Sequence, residues 1–385
     1  MKIKLKASAL KPILKAINKL SGDKSTYLWD RIIEIEADKG EYIKLRTMES
    51  PIVAFVSCKA LAIEESGKAT VDKARFAQGI APLKAGDELE ITSTDNELHV
   101  SFGNGDFSIP IVPCDTPFIE SNSPQGGDVT TLSFKKGVVG NALATASLFV
   151  AKNGIRPSLG GIYLSNRENA VDIASTDAHS LCWIEVRSNS DGGTPTKSTI
   201  IPPKACELAA ALEALDYGEG DDTTNVSFNE SKITVYSNYF RLFSSCVDAK
   251  YPNYKAVVPT ETPIRITVNK EEILSAVKRI EKFANKQYGT ARLLSDSGTL
   301  RLSAADSGLG IKAAATVQEA KAEGQLPETG LNATRLRTML EAMQCNGVTI
   351  FSSGSNNKGV RFEPDVQPDG VAFKGLIMPM MIQED

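Results

Sequence analysis

The sequence predicts an α+β chain made of three tandem domains of similar topology. Three observations predict it. The chain has 385 residues, more than a single core usually organises, since domains run on the order of 100 to 200 residues. Helical and strand patterns occur in one order three times, and acid-ended strands recur at a nearly constant spacing. With 42% hydrophobic and 23% charged residues the composition is that of a soluble globular protein.

The first repeated element is an amphipathic helix that opens each third: SALKPILKAINKL from Ser8, KKGVVGNALATASLFVA from Lys135 and NKEEILSAVKRIEKF from Asn269. Asn269 with Glu272 three residues on has the form of a capping box. The second is an alternating strand that ends in an acid: YIKLRTME, AVDIASTD and TLRLSAAD. Their acids, Glu49, Asp177 and Asp306, stand 128 and 129 residues apart. The third is a further helix followed by paired strands, in VDKARFAQGIAPL from Val71, PPKACELAAALEAL from Pro202 and NATRLRTMLEAM from Asn332. Gly103-Asn104-Gly105 reads as a hairpin turn within the strands of the first third. Breaks of Gly, Pro and small polar residues at QGGD and VPTETP place the domains at 1–127, 128–259 and 260–385.

The net charge of −4 argues against a nucleic-acid partner unless the charge is segregated. It is segregated along the helices. Leu10, Ile13, Leu14 and Ile17 form one face of the first helix, while Lys11, Lys15 and Lys19 follow one another on the other. Ile273, Leu274, Val277 and Ile280 repeat the apolar face in the last third, with Lys270, Lys278, Lys282 and Lys286 opposite. Lys73, Arg75, Lys204, Arg335 and Arg337 on the second helices are expected to add to the same basic surface. Such side chains meet phosphates without reading base edges, which gives sequence-independent, salt-sensitive binding.

Several chemistries are excluded. No nucleophile elbow, zinc-protease helix or phosphate loop occurs, and His99 and His179 are too far apart to share a metal. Glu49, Asp177 and Asp306 fall in different domains and cannot form one carboxylate site. No cofactor and no metal are expected. The six cysteines form no C-x-x-C pair, which fits reduced thiols in a cytoplasmic protein. Neither a signal peptide nor an apolar run long enough for a membrane span is seen.

GGIYLSN, ASTDAHSL, KYPNYKAVVP and the terminal LIMPMMI follow in order along the second and third thirds. In these the chain resembles, over nearly its whole length, the bacterial sliding clamp family, the beta subunit of DNA polymerase III. The resemblance implies the DNA clamp fold: three clamp-type domains per subunit and a head-to-tail homodimer. The six domains would make a ring with helices lining the hole and sheets outside. It implies no catalysis of its own, duplex DNA as a partner, and a cleft that takes peptides of the Gln-Leu-x-Leu-Phe type. Those peptides would come from the polymerase III alpha subunit, the clamp loader delta subunit, other polymerases and mismatch-repair proteins.

The positions that match the cleft are Leu159, Thr176, His179, Leu181, Pro252, Val257, Met378, Pro379 and Met380. Lys24, Lys152, Asn153 and Arg156 match DNA-contacting loops, and Phe107 and Phe283 match apolar dimer contacts. Ala178 stands where the family commonly has glycine, and Ser180 and Ala256 where arginine is frequent, so the cleft is expected to be less basic. A clamp-like peptide-binding adaptor and a metal-dependent nuclease are the alternative readings.

Overall fold

The computed structural model describes residues 1–20, 25, 27–113, 124, 129–152, 154, 156–190, 196–218, 220, 222–296 and 298–382. Six α-helices occur among them: α1 (Ala7–Ile17), α2 (Lys73–Ile80), α3 (Val138–Ser147), α4 (Pro203–Glu213), α5 (Lys270–Ile280) and α6 (Ala333–Ala342). The amphipathic spacing decides which side of α1 is covered: Leu10, Ile13, Leu14 and Ile17 are all buried, while Lys15 and Lys19 are exposed. In α5, Ile273, Val277 and Ile280 are buried, but Leu274 is only half-buried and is not part of the core face. Three helix starts are fixed by side-chain caps. Asp72, Asn269 and Asn332 accept hydrogen bonds from the backbone N–H of Arg75, Glu272 and Arg335 at 2.9, 3.1 and 3.0 Å. At α4, Pro202 stands in the cap position and contributes no side-chain bond.

The chain divides into two compact units. The first comprises Met1–Ala144, Ser165–Asn169 and Ser188–Asp248. It holds a five-stranded sheet in the order Ala62–Glu65, Lys2–Lys6, Glu88–Ser93, Glu97–Phe102, Gly105–Pro110. It also holds an eight-stranded sheet in the order Thr130–Lys135, Thr223–Phe228, Lys232–Tyr236, Phe240–Ser245, Ile52–Lys59, Tyr42–Glu49, Ile32–Ala37, Gly67–Asp72. Alternation puts Ile3, Leu5, Leu89, Ile91, Leu98 and Val100 of the smaller sheet inside.

The second unit comprises Thr145–Leu164, Ala170–Arg187 and Ala249–Asp385. One of its sheets runs Ala170–Thr176, Ser180–Arg187, Val371–Ile377, Val360–Pro364, Gly347–Ser352, Ile264–Asn269, Lys321–Glu323. The other has four strands in the order Ile311–Val317, Thr299–Asp306, Thr290–Asp296, Thr329–Asn332.

Each unit contains the same joint between neighbouring thirds of the sequence. In the first, Phe240–Ser245 pairs antiparallel with Ile52–Lys59. In the second, Val371–Ile377 pairs antiparallel with Ser180–Arg187. In both cases the returning strand of a late hairpin meets the strand that follows a repeated acid, Glu49 or Asp177. Backbone hydrogen bonds of two strands that would otherwise be edges are thereby satisfied. No described helix is long and apolar enough to cross a membrane.

Candidate functional site

A strand, a tight turn and a short helical loop build a cleft of about 260 Å³ in the second unit. Strand Ala170–Thr176 ends at Thr176, and Asp177, Ala178 and His179 turn the chain into strand Ser180–Arg187. Asp177 organises this turn. Its Oδ1 accepts hydrogen bonds from His179 N–H at 3.0 Å, Ser180 N–H at 2.6 Å and the Ser180 hydroxyl at 2.8 Å. Thr176 closes it from inside, its hydroxyl donating to Ser180 O at 2.6 Å and accepting from Ala178 N–H at 3.0 Å.

The turn requires a left-handed residue, and Ala178 adopts φ of 73° there, a conformation that suits glycine and strains a residue with a Cβ. Burial pushes the Asp177 carboxyl up, but the Ser180 N–H, the Arg335 guanidinium, the Ser180 hydroxyl and the His179 N–H outweigh burial. Together they hold it below the usual value of 3.8.

The opposite wall is the loop Pro252 to Val257, with the 3-10 turn Tyr254–Val257. The Tyr254 hydroxyl donates to Asp172 Oδ2 at 3.2 Å, and Lys255 Nζ lies 2.7 Å from the same oxygen. Asp172 is nearly fully buried and also accepts from Trp183 Nε1 at 3.1 Å, so one carboxylate anchors the wall. Leu181, Tyr254 and Leu376 form the apolar floor, packed on the buried Ala174, with Met378 beside them. Met378 is fixed by its N–H, which donates to His179 O at 2.8 Å.

Of the residues expected at this cleft, Leu159, Thr176, His179, Leu181, Pro252, Val257 and Met378 line it together. Pro379 and Met380 are not among its lining residues, because Met380 N–H donates to Gly330 O at 2.8 Å and draws the chain along strand Thr329–Asn332. Ala178, Ser180, Asn253, Tyr254 and Leu376 line the cleft in addition. Tyr254 and Leu376 lie inside the YPNY and LIMPM segments and were within reach of the sequence. Arg156, expected to face DNA, also lines the cleft. A second depression of about 520 Å³ adjoins it, lined by Lys152, Asp177, His179, Asn332 and Arg335 among others.

The lysines sort into three kinds. Lys15, Lys19, Lys152 and Lys282 are exposed, with no ion pair to any described residue. Lys11, Lys204 and Lys278 are already engaged: Lys11 Nζ donates to Leu83 O, Lys204 pairs with Glu49, and Lys278 lies 2.9 Å from Glu341. Lys73 corrects the expectation of a solvent-facing cation. It is 2% exposed, and its ammonium donates to Leu20 O and Asp30 O. The reason is helical phase, for Lys73 shares a face with Phe76, Ala77 and Ile80, which are all buried. Lys24 and Asn153 lie outside the described residues. Phe107 is half-buried on the outermost strand of its sheet, against Phe102 at 6.3 Å, and Phe283 is 38% exposed.

Comparison with known proteins gives one consistent result. Residues 134–253 match the family described as the central domain of the DNA polymerase III beta subunit. A beta sliding clamp of Escherichia coli is 21% identical over 375 residues, 97% of each chain. A beta sliding clamp of Synechococcus elongatus is 22% identical over 84% of each chain. Among solved structures, a DnaN sliding clamp from Pseudomonas aeruginosa superposes with a TM-score of 0.84 at 20% identity, covering 99% of this chain and 100% of that one. The beta subunit of DNA polymerase III from Thermotoga maritima gives 0.84 at 17% identity, again over 99% of this chain. Residues 134–253 thus resemble the central domain of the DNA polymerase III beta subunit, and the chain along its length has the fold of the solved beta-subunit clamps.

Proposed function

We propose that this chain is a DNA sliding clamp of replication, a non-catalytic subunit that encircles duplex DNA and tethers a replicative polymerase. In this reading three clamp domains, 1–127, 128–259 and 260–385, make up each subunit, and two copies join head to tail into a six-domain ring. The observation that carries the reading is the strand joint that occurs twice inside the chain, together with the two edges it leaves unused.

The strand that follows the first acid buries Ile52, Ala54 and Val56, and the one that follows the second buries Ser180, Cys182 and Ile184. Its counterpart after Asp306, Ile311–Val317, ends its sheet with Ile311 37% exposed and Leu309 64% exposed beside it. The returning strand Gly105–Pro110 likewise ends its own sheet. Two open edges of complementary kind on one chain are satisfied by a second copy, and by symmetry the second joint closes the ring.

Lys15, Lys19, Lys152 and Lys282 then supply the phosphate contacts, with Lys204 and Lys278 partly neutralised by their carboxylate partners and Lys11 tethered to a backbone carbonyl. The cleft at Leu159, Thr176, His179, Leu181, Pro252, Val257 and Met378 takes the docking peptides of the polymerase alpha subunit, the clamp loader delta subunit and repair proteins. An apolar floor with a methionine at its edge suits many related peptides. The comparisons do not favour the nuclease or adaptor alternatives.

The test is solution mass by light scattering across a dilution series, combined with retention on circular and linear DNA. A mass near twice 41.3 kDa and retention on the circle alone are expected. A persistent monomer that leaves both DNAs equally fast overturns the reading.

A further inference from the structure

Each internal joint carries an ion pair in the same place. Glu49, the acid that ends its strand, pairs with Lys204 near the start of α4. Asp177 pairs with Arg335 near the start of α6, Nε to Oδ2 at 2.8 Å. In both, the acid of one third meets a cation at the start of the second helix of the following third. The next acid in the series is Asp306, in the last of the three repeats.

The helix that would follow is α2 of another copy. Arg75 stands in it where Arg335 stands in α6, each three residues after a capping acid or amide, with its N–H bonded to that cap. Arg75 is exposed and has no ion pair among the described residues. Asp306 is 6% exposed and its Oδ1 accepts from Leu309 N–H at 3.3 Å; among the described residues it too has no ion pair. A carboxylate withdrawn this far from water gains from a cation more than a surface acid does.

We propose that Arg75 of one copy pairs with Asp306 of a second copy and fixes the register of the strand joint between them; this rests on the head-to-tail dimer proposed above. The register follows from the two internal joints. Phe240 and Gly105 each open the returning strand after a two-residue turn. Phe240 lies opposite Val56, Leu242 opposite Ala54 and Ser244 opposite Ile52, the residue that faces the acid Glu49. Ile377 lies opposite Ser180 in the same way. In the third sheet Ile311 faces Asp306. Ile109 therefore meets Ile311 of the second copy, Phe107 meets Ala313 and Gly105 meets Ala315, with Asp106 opposite Ala314 on the other face. The small residues of Ile311–Val317 leave room for the Phe107 ring, which takes the place that Leu242, fully buried, has in the first joint.

Two measurements test this on the full chain. The variant carrying Asp106→Cys and Ala314→Cys, mildly oxidised, should run as a covalent dimer, whereas Asp106→Cys with Lys312→Cys, two residues out of register, should not. The opposite result overturns the register. Dimer dissociation by analytical ultracentrifugation is then compared for the parent, Arg75→Ala, Asp306→Asn and the double variant. Each single change should raise the dissociation constant roughly tenfold, and the double variant should be no worse than either.

Multiplying effects, or an unaltered constant for Arg75→Ala, overturn the ion pair while leaving the dimer intact. A monomeric parent removes the dimer reading and the pair with it. Because Asp306 is buried, a circular-dichroism melt of Asp306→Asn is taken first, and if that variant is unfolded the exposed Arg75→Ala decides alone.

Discussion

Arg335 reaches Asp177 across the second unit, Nε to Oδ2 at 2.8 Å, while Oδ1 of the same carboxylate holds His179 N–H and Ser180 N–H. One acid thus links the start of α6 to the turn that forms one rim of the cleft. The hydrogen bonds favour its ionised form, so its carboxyl sits below 3.8 when folded. The stability it contributes is present above that unfolded value and is lost as pH falls through the lowered folded one.

Asp177→Asn should therefore lower the melting temperature at pH 7, and the gap to the parent should close as pH falls below about 3.8. Calorimetry at a series of pH values reads this directly. A gap independent of pH would mean that the lost contacts are not those of the charged carboxylate.

Ala178 holds a left-handed φ of 73°. Replacing it with glycine removes the clash of its Cβ and should stabilise the chain by about 1 kcal/mol, offset in part by the greater freedom of the unfolded glycine. A denaturant midpoint that falls in Ala178→Gly would show that the turn carries no such strain.

Lys15 and Lys73 should separate cleanly, because one is exposed and the other buried. Lys15→Ala should leave the melting temperature unchanged and reduce the salt dependence of DNA retention by about one unit of log–log slope. Lys73→Ala should do the reverse, costing on the order of 2 kcal/mol, since it removes a buried aliphatic stem and leaves Leu20 O and Asp30 O without their donor. Retention of labelled circular DNA over a salt series, beside thermal melts, distinguishes the two.

Val257 is 53% exposed at the mouth of the cleft. Val257→Asp should weaken a Gln-Leu-x-Leu-Phe peptide by at least about tenfold while leaving the melting temperature within a degree or two. Fluorescence anisotropy of the labelled peptide measures it, and unchanged affinity would move peptide docking away from this cleft.

The sequence by itself determined the helices, the acid-ended strands and their recurrence, because periodicity of 3.6 or 2 is a local property set by which side of an element must be covered. It also carried the cleft residues of the ASTDAHSL, YPNY and LIMPM segments. The helical phase of Lys73 with Phe76, Ala77 and Ile80 was legible too, although a charged residue hides that phase when it is read as solvated. Only the tertiary structure decided which cations were already engaged. The pairs Glu49 with Lys204 and Asp177 with Arg335 join residues 155 and 158 positions apart, a distance at which no periodic pattern speaks. The strand joints were decided at the same level, since an edge is defined by the neighbour it lacks, and a single strand's sequence does not record that neighbour.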